Sequence, residues 1–169
     1  PFGGVNQSHF TTQNIYGLNE EFINYLNYGA FPEAVFSKQI QGNPQRYIKS
    51  DIIDKVLLRD LPSLYGISDI QELNRLFNTL AYNSGLEVSL GKLSKSSNVA
   101  KKTLTRYIEY LEAAFLIKRI KRLDADARHF KRLTAFKVYL TNPTMRAALF
   151  GPITEQHEAI GQLAETAVF

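Results

Sequence analysis

The sequence predicts a mainly α-helical chain with a small β component, and three observations carry that expectation. Apolar residues recur at spacings of three and four through the first half and again beyond Leu90, the period of helices that bury one face. Two shorter stretches, from Ile117 to Leu123 and from Ala135 to Thr141, read instead as strands. Thirteen of the twenty Lys and Arg residues fall between Lys92 and Lys137 against four acidic ones, a local net of +9 in a chain whose total is +4. The flanking regions are mildly acidic, so the molecule is electrically polarised, and a concentrated positive field attracts polyanions.

In chain order, Asn19 to Leu26 is expected to form a short helix entered through Asn19 and ending near Gly29 and the Phe31–Pro32 step. Arg46 to Leu58 sets Ile48, Ile52 and Val56 four apart, with Ile53 and Leu57 beside them, an amphipathic helix that runs to a break at Pro62. Asp69 reads as the N-cap of a helix through Tyr82. Glu72, three residues on, completes a capping-box spacing, and Leu73, Leu76, Phe77 and Leu80 supply the buried stripe.

From Ser89 a short helix, Leu90 to Lys95, gives way to the turn formers Ser96, Ser97 and Asn98, and a longer helix follows from Ala100 to Phe115. Leu104, Ile108, Leu111 and Phe115 step by four, three and four and are expected to face inward, which turns Lys102 and Arg106 outward. Helix, tight turn, helix, strand, basic loop and strand make a winged helix-turn-helix. The expected division is a helical lead segment over 1–84, the winged unit over 85–141 and a third unit beginning at 142. The candidate nucleic-acid residues are Lys101, Lys102, Thr103 and Arg106 on the second helix and Arg128, Lys131 and Arg132 in the wing. Glu109 lies one turn after Arg106 on the outward stripe, where a carboxylate opposes phosphate, and pairing with Arg106 is the expected remedy.

Composition excludes several classes. Apolar residues at 44% and charged residues at 21% are those of a globular domain, no apolar run approaches a membrane span, and no signal peptide is visible. The absence of cysteine removes disulfides and thiolate metal sites and fits a cytoplasmic protein. His9, His129 and His157 lack metal-pair spacing. Gly85 to Leu93 (GLEVSLGKL) has the wrong glycine interval for a phosphate-binding loop and Leu where Ser or Thr must reach magnesium. Neither a catalytic residue nor a cofactor is assigned to this chain. Beginning at Pro1, it reads as a piece of something longer.

The blocks Tyr25 to Phe36 (YLNYGAFPEAVF), Tyr47 to Asp69 (YIKSDIIDKVLLRDLPSLYGISD), Val99 to Ile117 (VAKKTLTRYIEYLEAAFLI), Lys137 to Asn142 (KVYLTN) and Gly161 to Phe169 (GQLAETAVF) resemble, in order, blocks of the AAA-type ATPase family with a DUF4143 C-terminal region. That resemblance implies a parent using ATP and magnesium, an upstream ATPase domain as a partner, and residues 142–169 as the start of a truncated restriction-endonuclease-like α/β unit. Glu165 matches an acidic position of that family, and Arg59 and Asp60 belong to one of its blocks without an assigned role. Two departures stand out: Ala100 replaces the family's usual Ser cap, and Asn142 its usual Asp. The functional expectation is a non-catalytic fragment gripping duplex DNA, the alternative being a module that docks the ATPase domain or a protein partner.

Overall fold

The computed structural model describes residues 14–121 and 135–168. Among these residues there are ten α-helices, three wide-turned (π) helical segments and three strands. The first helix, α1 (Ile15–Asn24), is capped by Asn14, whose Oδ1 accepts from the Gly17 N–H at 3.0 Å. The cap therefore lies five residues before the expected Asn19. It passes without a break into a wide turn over Tyr25–Gly29, where Leu26 and Asn27 become buried.

Three short helices follow, α2 (Pro32–Phe36), α3 (Lys38–Gln41) and α4 (Pro44–Tyr47). Helical backbone then continues through wide turns at Ile48–Asp54 and Val56–Asp60 into α5 (Leu61–Tyr65). Wide turns hold more residues than α-turns, which shifts the inward stripe: Ile48, Ile53, Leu57 and Leu61 are buried, while Ile52 and Val56 pack only at its margin. Pro62 does not break the run. It sits where the wide turn of Val56–Asp60 passes into α5, and the helical backbone continues through it. The run ends instead at Gly66, in the left-handed conformation that glycine adopts without steric cost (φ 63°).

The capping box anticipated for α6 (Ile70–Tyr82) is present on the Asp69 side, the Glu72 N–H donating to Asp69 Oδ1 at 2.8 Å. Leu73, Leu76, Phe77, Leu80 and Ala81 are buried. Next comes a strand that the sequence reading lacked, β1 (Glu87–Ser89), too short to display a period. Ser89 caps α7 (Leu90–Ser97) through the Lys92 N–H, and Asn98 (φ 58°) makes the tight turn into α8 (Lys101–Ala113). Strands β2 (Ile117–Lys121) and β3 (Ala135–Leu140) complete an antiparallel sheet in the order β1-β3-β2, with Val88 opposite Phe136 and Ile117 opposite Leu140.

Phe115 was expected inside and is 80% exposed. The chain leaves α8 through paired reverse bonds, Phe115 N–H to the Glu112 carbonyl and Leu116 N–H to the Leu111 carbonyl, both at 3.0 Å. This is a Schellman motif with Phe115 (φ 55°) where glycine is usual. The left-handed residue turns its ring outward, and Leu116 takes the interior place beside Leu111.

Beyond Asn142 the described chain holds two helices, α9 (Thr144–Phe150) and α10 (Ile160–Val168), and no strand. Both helices pack back on earlier elements. Asn27 exchanges two 2.8 Å bonds with the Ile153 backbone, and Asn142 Nδ2 donates to the Ala30 carbonyl at 2.7 Å. The main core joins Ile48 through Met145 in one cluster, crossing residues 84 and 141 without interruption, and a smaller one gathers Leu26, Ile153 and Leu163.

Candidate nucleic-acid interface

The geometry of α7 and α8 is fixed from beneath. Leu93, Val99, Leu104, Tyr107, Ile108 and Leu111 are buried in the main core. The tight turn is locked by side-chain bonds: Ser94 Oγ donates to the Val99 carbonyl at 2.7 Å, Ser97 Oγ to the Leu93 carbonyl at 2.6 Å, and Arg75 Nε reaches Ser97 from α6 at 3.4 Å. Across the other end, Glu112 pairs with Arg119 at 2.9 Å and accepts the Arg119 N–H, tying α8 to β2. Inner face, turn and far end are all held, so the outer face of α8 has a set direction.

That face carries Lys101, Lys102 and Arg106 exposed to solvent and Thr103 half-buried. Each of the three cations meets no carboxylate among the described residues, in contrast to Lys49 with Asp54, Arg59 with Asp60, and Lys137 with Glu165. The pairing expected between Arg106 and Glu109 does not form. Arg106 Nη2 instead donates to the Tyr110 hydroxyl at 3.3 Å, a bond that raises an already high guanidinium pKa. The Tyr110 ring lies face to face with that of Tyr65, centroids 3.8 Å apart and planes 8° from parallel. Ala100 offers no side-chain cap, so the first N–H groups of α8 point outward free of any side-chain acceptor.

Two cations that the sequence reading did not select join this set. Lys92 and Lys95 are exposed on α7, three residues apart and opposite the buried Leu93. Their signal was visible in the same spacing that identified the buried side. Arg128, Lys131 and Arg132, with His129, lie outside the described residues.

Elsewhere the candidate chemistry resolves into structural roles. Glu165 accepts from Lys137 Nζ and the Tyr139 hydroxyl, both at 2.7 Å, clasping α10 to β3, and those bonds, Lys137 first, hold its carboxyl below the usual range. Arg59 and Asp60 form an exposed ion pair at 2.9 Å. His157 Nδ1 accepts the Ala159 N–H. Gly85 to Leu93 forms β1 and the entry to α7. Among the described residues, no three His, Asp or Glu side chains gather closely enough to hold a metal, and no helix is long and apolar enough to cross a membrane. Open hollows lie on the lead segment around Tyr28, Ala34 and Asn43, away from α8.

The model of a domain of unknown function, DUF8612, matches residues 19–156. The chain is also similar to an uncharacterized protein of Haemophilus influenzae, 26% identical over 137 residues that cover 78% of this chain and 34% of that protein. It thus spans about a third of the length of the curated relative it matches. No solved structure matches. These findings correct the resemblance to the DUF4143-containing AAA-type ATPases: the matching family is a different one, and the relative's description carries no ATPase activity. The ATP and magnesium of an intact parent, the upstream ATPase partner and the nuclease-like unit thereby lose the resemblance that suggested them. The blocks that suggested it coincide with the long helical run, α8, β3 and α10, whose buried apolar spacing many helical folds share.

Proposed function

The chain belongs to the DUF8612 family, and on that premise we propose that its centre is a winged helix-turn-helix that grips duplex DNA, with α8 as the groove-facing helix. The order α6, β1, α7, α8, β2, β3, with β3 central in the sheet, supports the winged reading. Arg128, Lys131 and Arg132 fall in the sequence between β2 and β3, where that architecture carries its wing.

One observation carries the functional part: five exposed cations, Lys92, Lys95, Lys101, Lys102 and Arg106, stand together on the adjoining helices α7 and α8, and none of them meets a carboxylate among the described residues. Lys101 and Lys102 stand in the first turn of a helix, where the macrodipole already disfavours positive charge. Their placement works against the helix and in favour of a phosphate. A second reading, an acidic protein partner on the same face, draws support from the exposed Phe115 ring at the end of α8.

The test is binding of the chain to a labelled duplex of mixed sequence over a series of salt concentrations. Affinity is expected to fall steeply with salt, and replacing Lys101 and Lys102 with Ala should reduce the log–log slope by about 2, since each lost phosphate contact removes roughly 0.9. Undetectable binding at about 50 mM salt would remove the DNA reading and leave the protein-docking one.

A further inference from the structure

The outward stripe of α8 runs Lys102, Arg106, Glu109, Ala113, in steps of four, three and four, and all four residues are exposed. Glu109 is the anomaly. A carboxylate facing a phosphate backbone lowers affinity, and the obvious relief, an ion pair with Arg106 one turn earlier, is not taken. Arg106 is turned toward Tyr110, leaving Glu109 unpaired among the described residues.

A guanidinium and a free carboxylate side by side suit the floor of the major groove better than its walls. Guanine presents two acceptors there, O6 and N7, which match the planar fork of Arg, and cytosine presents an amino donor, which needs an acceptor such as Glu. Residues three apart on a helix lie about 5–6 Å from each other, the span of one to two base-pair steps. Lys101 and Lys102, compact charges on flexible stems one turn nearer the helix start, suit phosphate instead.

The supporting shell distinguishes Arg106 from the lysines. Its Nη2 donates to the Tyr110 hydroxyl, and Tyr110 is held by its stack on Tyr65, a contact that favours one direction of the fork while its other N–H donors stay free. Resting on the duplex-DNA reading above, we infer that Arg106 and Glu109 form a base-reading pair, Arg106 taking guanine and Glu109 cytosine, with Tyr110 positioning the Arg106 fork. The chain then prefers sites with G·C pairs at one or two neighbouring positions.

The experiment is selection of bound duplexes from a randomised library by the full chain, followed by affinity measurements on the enriched site. The expected result is a G·C requirement at one or two adjacent positions. Replacing that guanine by 7-deazaguanine, which lacks the N7 acceptor, should weaken binding roughly tenfold in the parent chain and hardly at all in Arg106→Ala. Glu109→Gln should relax the cytosine position, and Lys102→Ala should weaken all sequences alike. Tyr110→Phe keeps the ring stack and removes the hydroxyl, so it should reduce guanine preference with no change in salt slope. Binding with an unselected, sequence-flat library overturns this inference and leaves the duplex reading intact. No binding to any library member overturns both.

Discussion

The helices α6 and α8 are of equal length, thirteen residues, and each buries one face, yet their first turns are opposites. α6 begins with Asp69 accepting a backbone N–H and has Glu72 in its first turn, both favourable to the positive end of the helix. α8 begins with Ala100, which caps nothing, has no acid in its first turn, and sets two lysines there. On helix chemistry alone α8 is the poorer design. Its inner face is just as well packed, so the weakness is confined to the surface that solvent or a ligand touches. Departure from local stability, more sharply than charge count, singles out the face to which the proposed function assigns a ligand.

The largest expected effect concerns what the two helices share. Leu76→Ala in α6 and Leu104→Ala in α8 remove side chains with no solvent exposure, and each should destabilise the fold by about 2–5 kcal/mol in denaturant unfolding. A small loss at Leu104 alone would break the equality of the inner faces. The caps come next. Asp69→Ala should cost about 1 kcal/mol, and Ala100→Asp should contribute a similar gain in stability while weakening duplex binding, because the new carboxylate occupies the first N–H groups and repels phosphate. Stabilisation with unchanged binding would separate the α8 terminus from the ligand face.

The smallest effect lies on the sheet beneath both helices, at the clasp of Glu165 on Lys137 and Tyr139. The folded Glu165 carboxyl titrates below its ordinary value, so the clasp contributes fully above the ordinary carboxylate pKa and is lost as pH falls through the folded value. Hydrogen exchange in α10 should rise on acidification in the parent chain and already be raised at neutral pH in Glu165→Gln. Acid-insensitive exchange in α10 would place its anchoring elsewhere.

Periodicity made the second half of the fold readable. The Asp69 cap, the α6 stripe, the Ser89 entry and the inner face through Leu111 follow from apolar spacing and capping chemistry. The lead segment was less readable because its wide turns change the period: Ile53 replaces Ile52 at the core, and a proline that normally stops a helix lies within the continuing run. β1 has only three residues, and its pairing with β3 links positions nearly fifty apart, which no local window contains. Phe115 misled because its spacing fits a helix that had already ended. Of the candidate site, Lys101, Lys102, Thr103 and Arg106 lie on α8 as their spacing implies. The brace behind Arg106 was hidden, since Tyr65 and Tyr110 meet only through the fold.

That stack has a structural consequence. Tyr65 terminates a continuous helical run that starts at Pro44, where Gln45 Nε2 donates to the Ala147 carbonyl of α9. The stack therefore joins α8 to the same helical run whose other end is bonded to α9, so both contacts share one continuous stretch of backbone.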